Sequence, residues 1–181
     1  MLRRAAGFTL IELLIAMAII GILAAAIIGT MSSARQRGRD AQRITDLKRI
    51  QVALNLYYDA NDRYPAAIGP AASSVLVSGG YMETLPVDPS SGAMYSYAAY
   101  VTSAGNAALC SSYHLGADLE SSTHAGLAAD ADATTLTASA GETVISPAVT
   151  ACTGSSADFH GTDSGKCNSS STGVACYDVR P

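Results

Sequence analysis

Hydrophobic residues crowd into one run near the start of this chain and thin out after it. From Phe8 to Met31 the sequence reads FTLIELLIAMAIIGILAAAIIGTM, 24 residues with a single charge, at Glu12. At 1.5 Å per residue a helix of that length covers about 36 Å, enough to cross a hydrocarbon core of about 30 Å. From Ser32 polarity rises but the helical period persists. Ala41, Ile44, Leu47, Gln51, Leu54 and Tyr58 recur every three or four positions, and Ile50 and Tyr57 widen the stripe. The pattern predicts one helix running on to residues 59–62, where Asn61 suits a left-handed cap and Tyr64-Pro65 cannot continue the turn. Residues 8–60 would make a rod of about 80 Å, which no small soluble domain needs.

Beyond Pro65 the period changes. Residues 94–101, 108–115 and 174–179 alternate well enough for strands, and a small antiparallel sheet packed on the helix stripe is the expected solution. The fold class is therefore α+β: a long N-terminal helix against a small antiparallel sheet with disulfide-stabilised loops. The Ala/Ser/Gly/Thr-rich stretches 121–140 and 153–173 read as loops. Arg35, Arg37, Arg39, Asp40, Arg43, Asp46, Lys48 and Arg49 read as the solvated face of the helix, with bridges between subunits as the alternative.

Composition sharpens this picture. Only 18 of the 116 residues from 66 to 181 are Leu, Ile, Val or Phe, so the distal core is thin and its loops need covalent support. Cys110, Cys152, Cys167 and Cys176 all lie there with no C-x-x-C spacing, which favours disulfides in an oxidising compartment over zinc. Three pairings are open. Residues 1–49 carry 8 basic and 3 acidic groups, residues 50–181 carry 3 and 12. A distal half this acidic does not suit nucleic acid, whose phosphates call for clustered Lys and Arg.

Arg3 and Arg4 precede the apolar run. A secretory signal has an apolar stretch of about 7–15 residues and then a small-residue cleavage site, whereas this run is longer and passes straight into a helix-favouring segment. By the positive-inside tendency the N-terminus lies in the cytoplasm and the cysteine-bearing half outside. Glu12 is the residue a plain anchor leaves unexplained, because a charge deep in a membrane helix costs about 2.5–3.5 kcal/mol. Four residues past Phe8 it can snorkel to the headgroups. Alternatively, a cut before Phe8 creates an α-amino group, and the amine of a neighbouring subunit pairs with Glu12 in a medium of low dielectric. Gly21, Ala25 and Gly29 form a strip of small residues that lets helices approach closely in lipid, a strip that alanine-rich spans also show by chance.

Gly7-Phe8-Thr9-Leu10-Ile11-Glu12-Leu13-Leu14 resembles the class III prepilin signal of type IV pilins and type II secretion pseudopilins. The resemblance implies cleavage between Gly7 and Phe8 by a prepilin peptidase, N-methylation of Phe8, and assembly through Phe8, Thr9 and Glu12 into a helical homopolymer on an inner-membrane platform. Loss of Arg3 and Arg4 would take the net charge from −4 to −6. Many such pilins carry a proline in the apolar helix. This chain has none there, so any softening rests on Gly21 and Gly29, where helix propensity falls by about 1 kcal/mol each. Residues 40–65, Gly80-Tyr81, residues 85–89 and Tyr95-Ser96-Tyr97 resemble the body of major secretion pseudopilins, which implies a short helix at 73–78 and a turn at 85–89 before the first strand. The expected division is a leader 1–7, a membrane and polymerisation helix 8–31, an amphipathic helix 32–64 and a β-rich head 65–181. Before assembly the subunit would be a single-pass membrane protein, and afterwards part of an extracellular pilus or a periplasmic pseudopilus.

Other chemistry is thin. There is no nucleophile elbow, P-loop or H-E-x-x-H; Gly161-Thr162-Asp163-Ser164-Gly165 lacks the elbow spacing, and His114, His124 and His160 read as scattered surface histidines. An enzyme is not expected. Asp130 and Asp132, with Asp158 and Asp163, are weak calcium candidates, Asn168-Ser169-Ser170 fits a glycosylation sequon, and no other cofactor is implied. A pilus-like filament subunit leads. A secretion pseudopilin and a monomeric, membrane-anchored binding module are the alternatives, and the last predicts that Glu12→Leu is harmless.

Overall fold

The periodic stretch folds as one helix, α1, Leu10–Asn61, in a computed structural model that describes residues 8–70, 74–101, 109–129, 131, 133–134, 143–144, 150–152, 167 and 173–181. Its end falls where the sequence puts it: Asp62 takes a left-handed φ of 53° and its N–H donates to the Tyr58 carbonyl at 2.8 Å. The chain divides into two units, Met1–Gln36 and Arg37–Pro181.

In the first unit α1 is apolar from Leu10 to Ile27 save for Glu12, and its large side chains there are exposed. Phe8, Leu10, Ile11, Leu14, Ile20 and Ile22 are all exposed, and a segment of this helix is long and apolar enough to cross a membrane. Burying one such side chain is worth about 1.5–3 kcal/mol, so a surface of this kind calls for lipid or another helix.

In the second unit the inner stripe of α1, Leu47, Ile50, Ala53 and Leu54, is fully buried, with Ile44 and Tyr57 packed at its margins. Ala41 and Tyr58, expected on that stripe, are exposed instead. A short helix α2, Val75–Ser78, follows, capped by the Ser74 hydroxyl accepting from the Leu76 N–H at 3.2 Å. The strands are β1 Ser96–Val101, β2 Ser112–Leu119, β3 Ala133–Thr134, β4 Thr143–Val144, β5 Thr150–Ala151 and β6 Ala175–Val179. A four-stranded sheet runs β5-β1-β2-β6 with antiparallel neighbours; β3 and β4 form a separate parallel pair. Tyr97 pairs with Leu115, Ala99 with Tyr113 and Ala117 with Tyr177. These residues alternate onto the face that shares one core with α1.

Two expectations are corrected here. The second strand lies four residues later than 108–115, because the Cys110 carbonyl accepts from the Tyr64 N–H at 2.8 Å and Cys110 is disulfide-bonded, which ties this stretch to the segment after α1. The stretch 121–140, read as loop, holds a 3-10 helix, Ala125–Ala129, and β3. Gly126 packs closely there, since a Cβ would lie 2.7 Å from Ile44 Cδ1 and the isoleucine would have to shift to admit it.

Of the three possible disulfide pairings the structure shows Cys110–Cys152 and Cys167–Cys176, separated by 42 and 9 positions. The first pins β5, whose neighbour Cys152 donates its N–H to the Ala99 carbonyl at 3.0 Å. In the loop-entropy picture it restrains the unfolded chain more than the second, by about 4 against about 2.5 kcal/mol. Urea unfolding of the detergent-solubilised full chain should therefore show a larger loss for the Cys110→Ser, Cys152→Ser pair than for Cys167→Ser with Cys176→Ser. The reverse order would remove loop closure as the reason.

Candidate functional site

Glu12 sits in the third helical position of α1, and Thr9 is the residue just outside its first turn. The Thr9 N–H donates to Glu12 Oε2 at 2.9 Å and the Thr9 hydroxyl to the same oxygen at 2.7 Å, while the Glu12 N–H donates back to Thr9 Oγ1 at 3.3 Å. This is a capping box, in which side chains at N-cap and N3 satisfy each other's orphaned backbone donors. The Thr9-x-x-Glu12 spacing carries that signal in the sequence, overlaid there by the processing motif. Glu12 Oε1 has no hydrogen-bond partner among the described residues. The carboxylate thus has one oxygen engaged on its own chain and one available.

Phe8 is the most exposed of the large apolar side chains among the described residues, at 91%. A Cβ at Gly21 would meet nothing within 4 Å, so its lack of a side chain serves no packing within the subunit. Ala25 and Gly29 follow on the same helix. Gly7 lies outside the described residues, as do Asp130, Asp132, Asp158, Asp163, Asn168 and His160. No three metal-binding side chains converge among the described residues.

The second unit, Arg37–Pro181, which is the folded head of the structure and includes the distal part of α1, holds a second constellation that sequence periodicity misread. Asp40, Arg43 and Asp46 are buried rather than part of a solvated face. Arg43 donates from Nη1 to Asp40 Oδ1 at 2.7 Å and to Glu120 Oε1 at 3.0 Å, from Nη2 to Ser90 Oγ at 2.8 Å, and pairs through Nε with Asp88. Arg39 reaches Glu120 Oε1 from Nε at 2.7 Å. Asp40 also accepts the backbone N–H groups of Glu120 and Ser121 at 2.9 and 3.0 Å. The arginine survives burial because carboxylates from three chain segments surround it, the condition under which a buried charge is tolerated. It ties α1 to the turn at Asp88 and to the end of β2. The Tyr95 hydroxyl adds a bond to Asp46 Oδ2 at 3.0 Å.

Electrostatics follow from this geometry. Burial alone would raise the Asp88 carboxyl, but Arg43 and the Ser90 and Ser91 donors outweigh it and hold Asp88 well below the ordinary carboxylate range. The Arg39 hydrogen bond lowers Glu120. Burial pushes the Tyr113 hydroxyl up to about 12. Since both carboxyls titrate lower folded than unfolded, their stabilisation is complete above the ordinary pKa of about 4 and is lost as pH falls through the folded values. Unfolding curves of the full chain between pH 7 and pH 2 should be flat down to about pH 5 and then drop. A stability that rises on acidification would contradict the pairing.

His114 also departs from expectation. It is fully buried on the opposite face of the sheet, Nε2 lying 2.7 Å from Asp178 Oδ2, and Asp178 is fully buried too. His124 keeps a local role, its Nδ1 accepting from the Gly126 N–H at 3.0 Å.

An apolar helix of membrane-crossing length that opens on a capped carboxylate, followed by a unit with its own core and two disulfides, is the arrangement the comparisons with known proteins have to account for. The model of the prokaryotic N-terminal methylation motif matches residues 2–28. Type II secretion system core protein G of Aeromonas hydrophila is 32% identical over 98 residues, covering 48% of this chain and 68% of that protein. The core protein G of Pseudomonas aeruginosa is also 32% identical over 98 residues, with 48% and 69% covered. The type IV major pilin protein PilA of Myxococcus xanthus is 43% identical over 58 residues, 32% of this chain and 26% of that one. No solved structure gives a significant match. The chain belongs to the family of type IV pilins and type II secretion pseudopilins.

Proposed function

We propose that this chain is a structural, non-catalytic subunit of a type IV pilus-like filament, cut between Gly7 and Phe8, N-methylated on Phe8 and polymerised through residues 8–31. The observation that carries the reading is the exposed apolar half of α1, beginning at a carboxylate with one oxygen unused. Before assembly the helix is dissolved in the membrane with its N-terminus in the cytoplasm. In the filament the same surface packs against other copies, Gly21, Ala25 and Gly29 allow close approach, and Glu12 Oε1 receives the Phe8 ammonium of a neighbour. A prepilin peptidase and an inner-membrane assembly platform are the partners this route requires. Intact mass of the protein taken from the cell surface, with electron microscopy of the same fraction, tests it. A mature chain starting at methylated Phe8 within fibres is expected; full-length chain in detergent-soluble monomers overturns it.

A second reading, a pseudopilin of a type II secretion system, is favoured by one observation. The core protein G relatives align over 98 residues and so reach into the head, whereas the pilin alignment spans 58. Deleting the gene separates the two: loss of surface fibres with secretion intact supports the pilus, and loss of secretion supports the pseudopilus.

A further inference from the structure

We propose that Arg35 and Arg37 form a belt that binds the phosphates of anionic phospholipids at the outer surface of the membrane, an inference that rests on the reading of residues 8–31 as membrane-spanning. The two arginines follow the end of the apolar run, Met31, by four and six positions on α1. At 1.5 Å per residue they lie about 6 and 9 Å past the hydrocarbon edge, within the headgroup layer.

Side-chain geometry agrees. Arg35 folds back one helical turn, its Nη2 lying 3.5 Å from Met31 Sδ, the direction helical side chains take and the one that brings a guanidinium to the interface. The next two arginines are occupied inside the head, Arg39 by Glu120 and Arg43 by Asp40, Asp88 and Glu120. Arg35 and Arg37 are exposed, no carboxylate partner of either is found among the described residues, and the sequence holds no acidic residue between Glu12 and Asp40.

A spacing of two residues sets the arginines on opposite sides of the helix. Headgroups of a surrounding bilayer reach both sides, and the stretch of α1 that a second copy would present at this level, residues 13–39, holds no carboxylate to pair with them. Guanidinium donors match phosphate oxygens in pairs. Removal of residues 1–7 would delete Arg3 and Arg4 and leave basic flanks on the outer side alone.

The test uses the full chain in nanodiscs of phosphatidylcholine, with or without one-third phosphatidylglycerol, and counts lipids retained on the protein by native mass spectrometry. Phosphatidylglycerol should be retained above its share by about fivefold per arginine. Arg35→Gln with Arg37→Gln should abolish the preference. Lys48→Gln with Arg63→Gln, an equal loss of charge at exposed head positions, should keep it. Retention of lipids in proportion to their share, or a preference that survives the arginine pair, overturns the proposal. If instead the arginine variant loses filaments while its lipid preference stays, the two side chains face a neighbour's carboxylates and the belt is refuted with polymerisation intact as a reading. A chain that does not enter the discs refutes the spanning helix and the belt together.

Discussion

Glu12→Leu should lower filament yield by roughly tenfold or more while leaving the membrane-inserted monomer as abundant as before, or more so. The direction follows from two opposed terms. A carboxylate in a membrane helix opposes insertion by about 2.5–3.5 kcal/mol, so leucine eases entry. In the polymer the same carboxylate would receive an ammonium, and a hydrogen bond to a charged group contributes about 1.5–3 kcal/mol, which is about tenfold to more than a hundredfold in an equilibrium constant. The capping box complicates the comparison, since leucine also removes the partner of Thr9. Glu12→Gln separates the two roles, because glutamine closes a capping box as well as glutamate does but carries no charge. Fibre counts by electron microscopy, normalised to subunit in the membrane, should be low for both variants. Normal polymer with glutamine would assign the residue to helix capping, and normal polymer with leucine would leave only a tether.

Arg43→Met should cost the head about 3–5 kcal/mol of unfolding free energy, the range for removing one partner of a buried ion pair. Methionine fills much of the volume, so the loss is electrostatic: Asp40 stays buried without its cation, and Asp88 and Glu120 lose their shared donor. Arg43→Lys keeps the charge but offers a single ammonium where a planar fork now serves three carboxylates and Ser90, and should fall between. Urea unfolding of the full chain in detergent, followed by tyrosine near-ultraviolet dichroism, is the measurement. A loss under about 1 kcal/mol would mean that water replaces the guanidinium freely and that the cluster is surface chemistry after all.

The helix, its end and two of the strands were legible because they depend on neighbours in sequence. α1 shows in the period of Ile44, Leu47, Ile50 and Leu54, its stop in Asn61 to Pro65, and β1 and β6 in their alternation. Glu12 stands out because a charge in an apolar run has few meanings, and the structure adds its capping-box partner Thr9. What stayed hidden depends on distant partners. Asp40 and Arg43 look like surface residues until Asp88 and Glu120, 45 and 77 positions from Arg43, are brought to them. His114 looks incidental until β6 delivers Asp178, 64 positions on. The start of β2 was misplaced for the same reason, since Tyr64 and Cys152 fix Cys110 from far along the chain. The disulfide pairing was open among three choices, and only the folded chain, which brings Cys110 to Cys152 and Cys167 to Cys176, resolves it.

The Cys110–Cys152 bridge bears on how a fibre behaves under load. A head gripped at its distal surface and pulled against its anchored helix can release slack only from chain outside closed loops. The bridge withholds the 42 positions it encloses, about 140–150 Å of contour at full extension. In a single-molecule pulling trace that length should be missing from the unravelling step and should return when a reductant is added, so an oxidised subunit behaves as a stiff link and a reduced one as an extensible one.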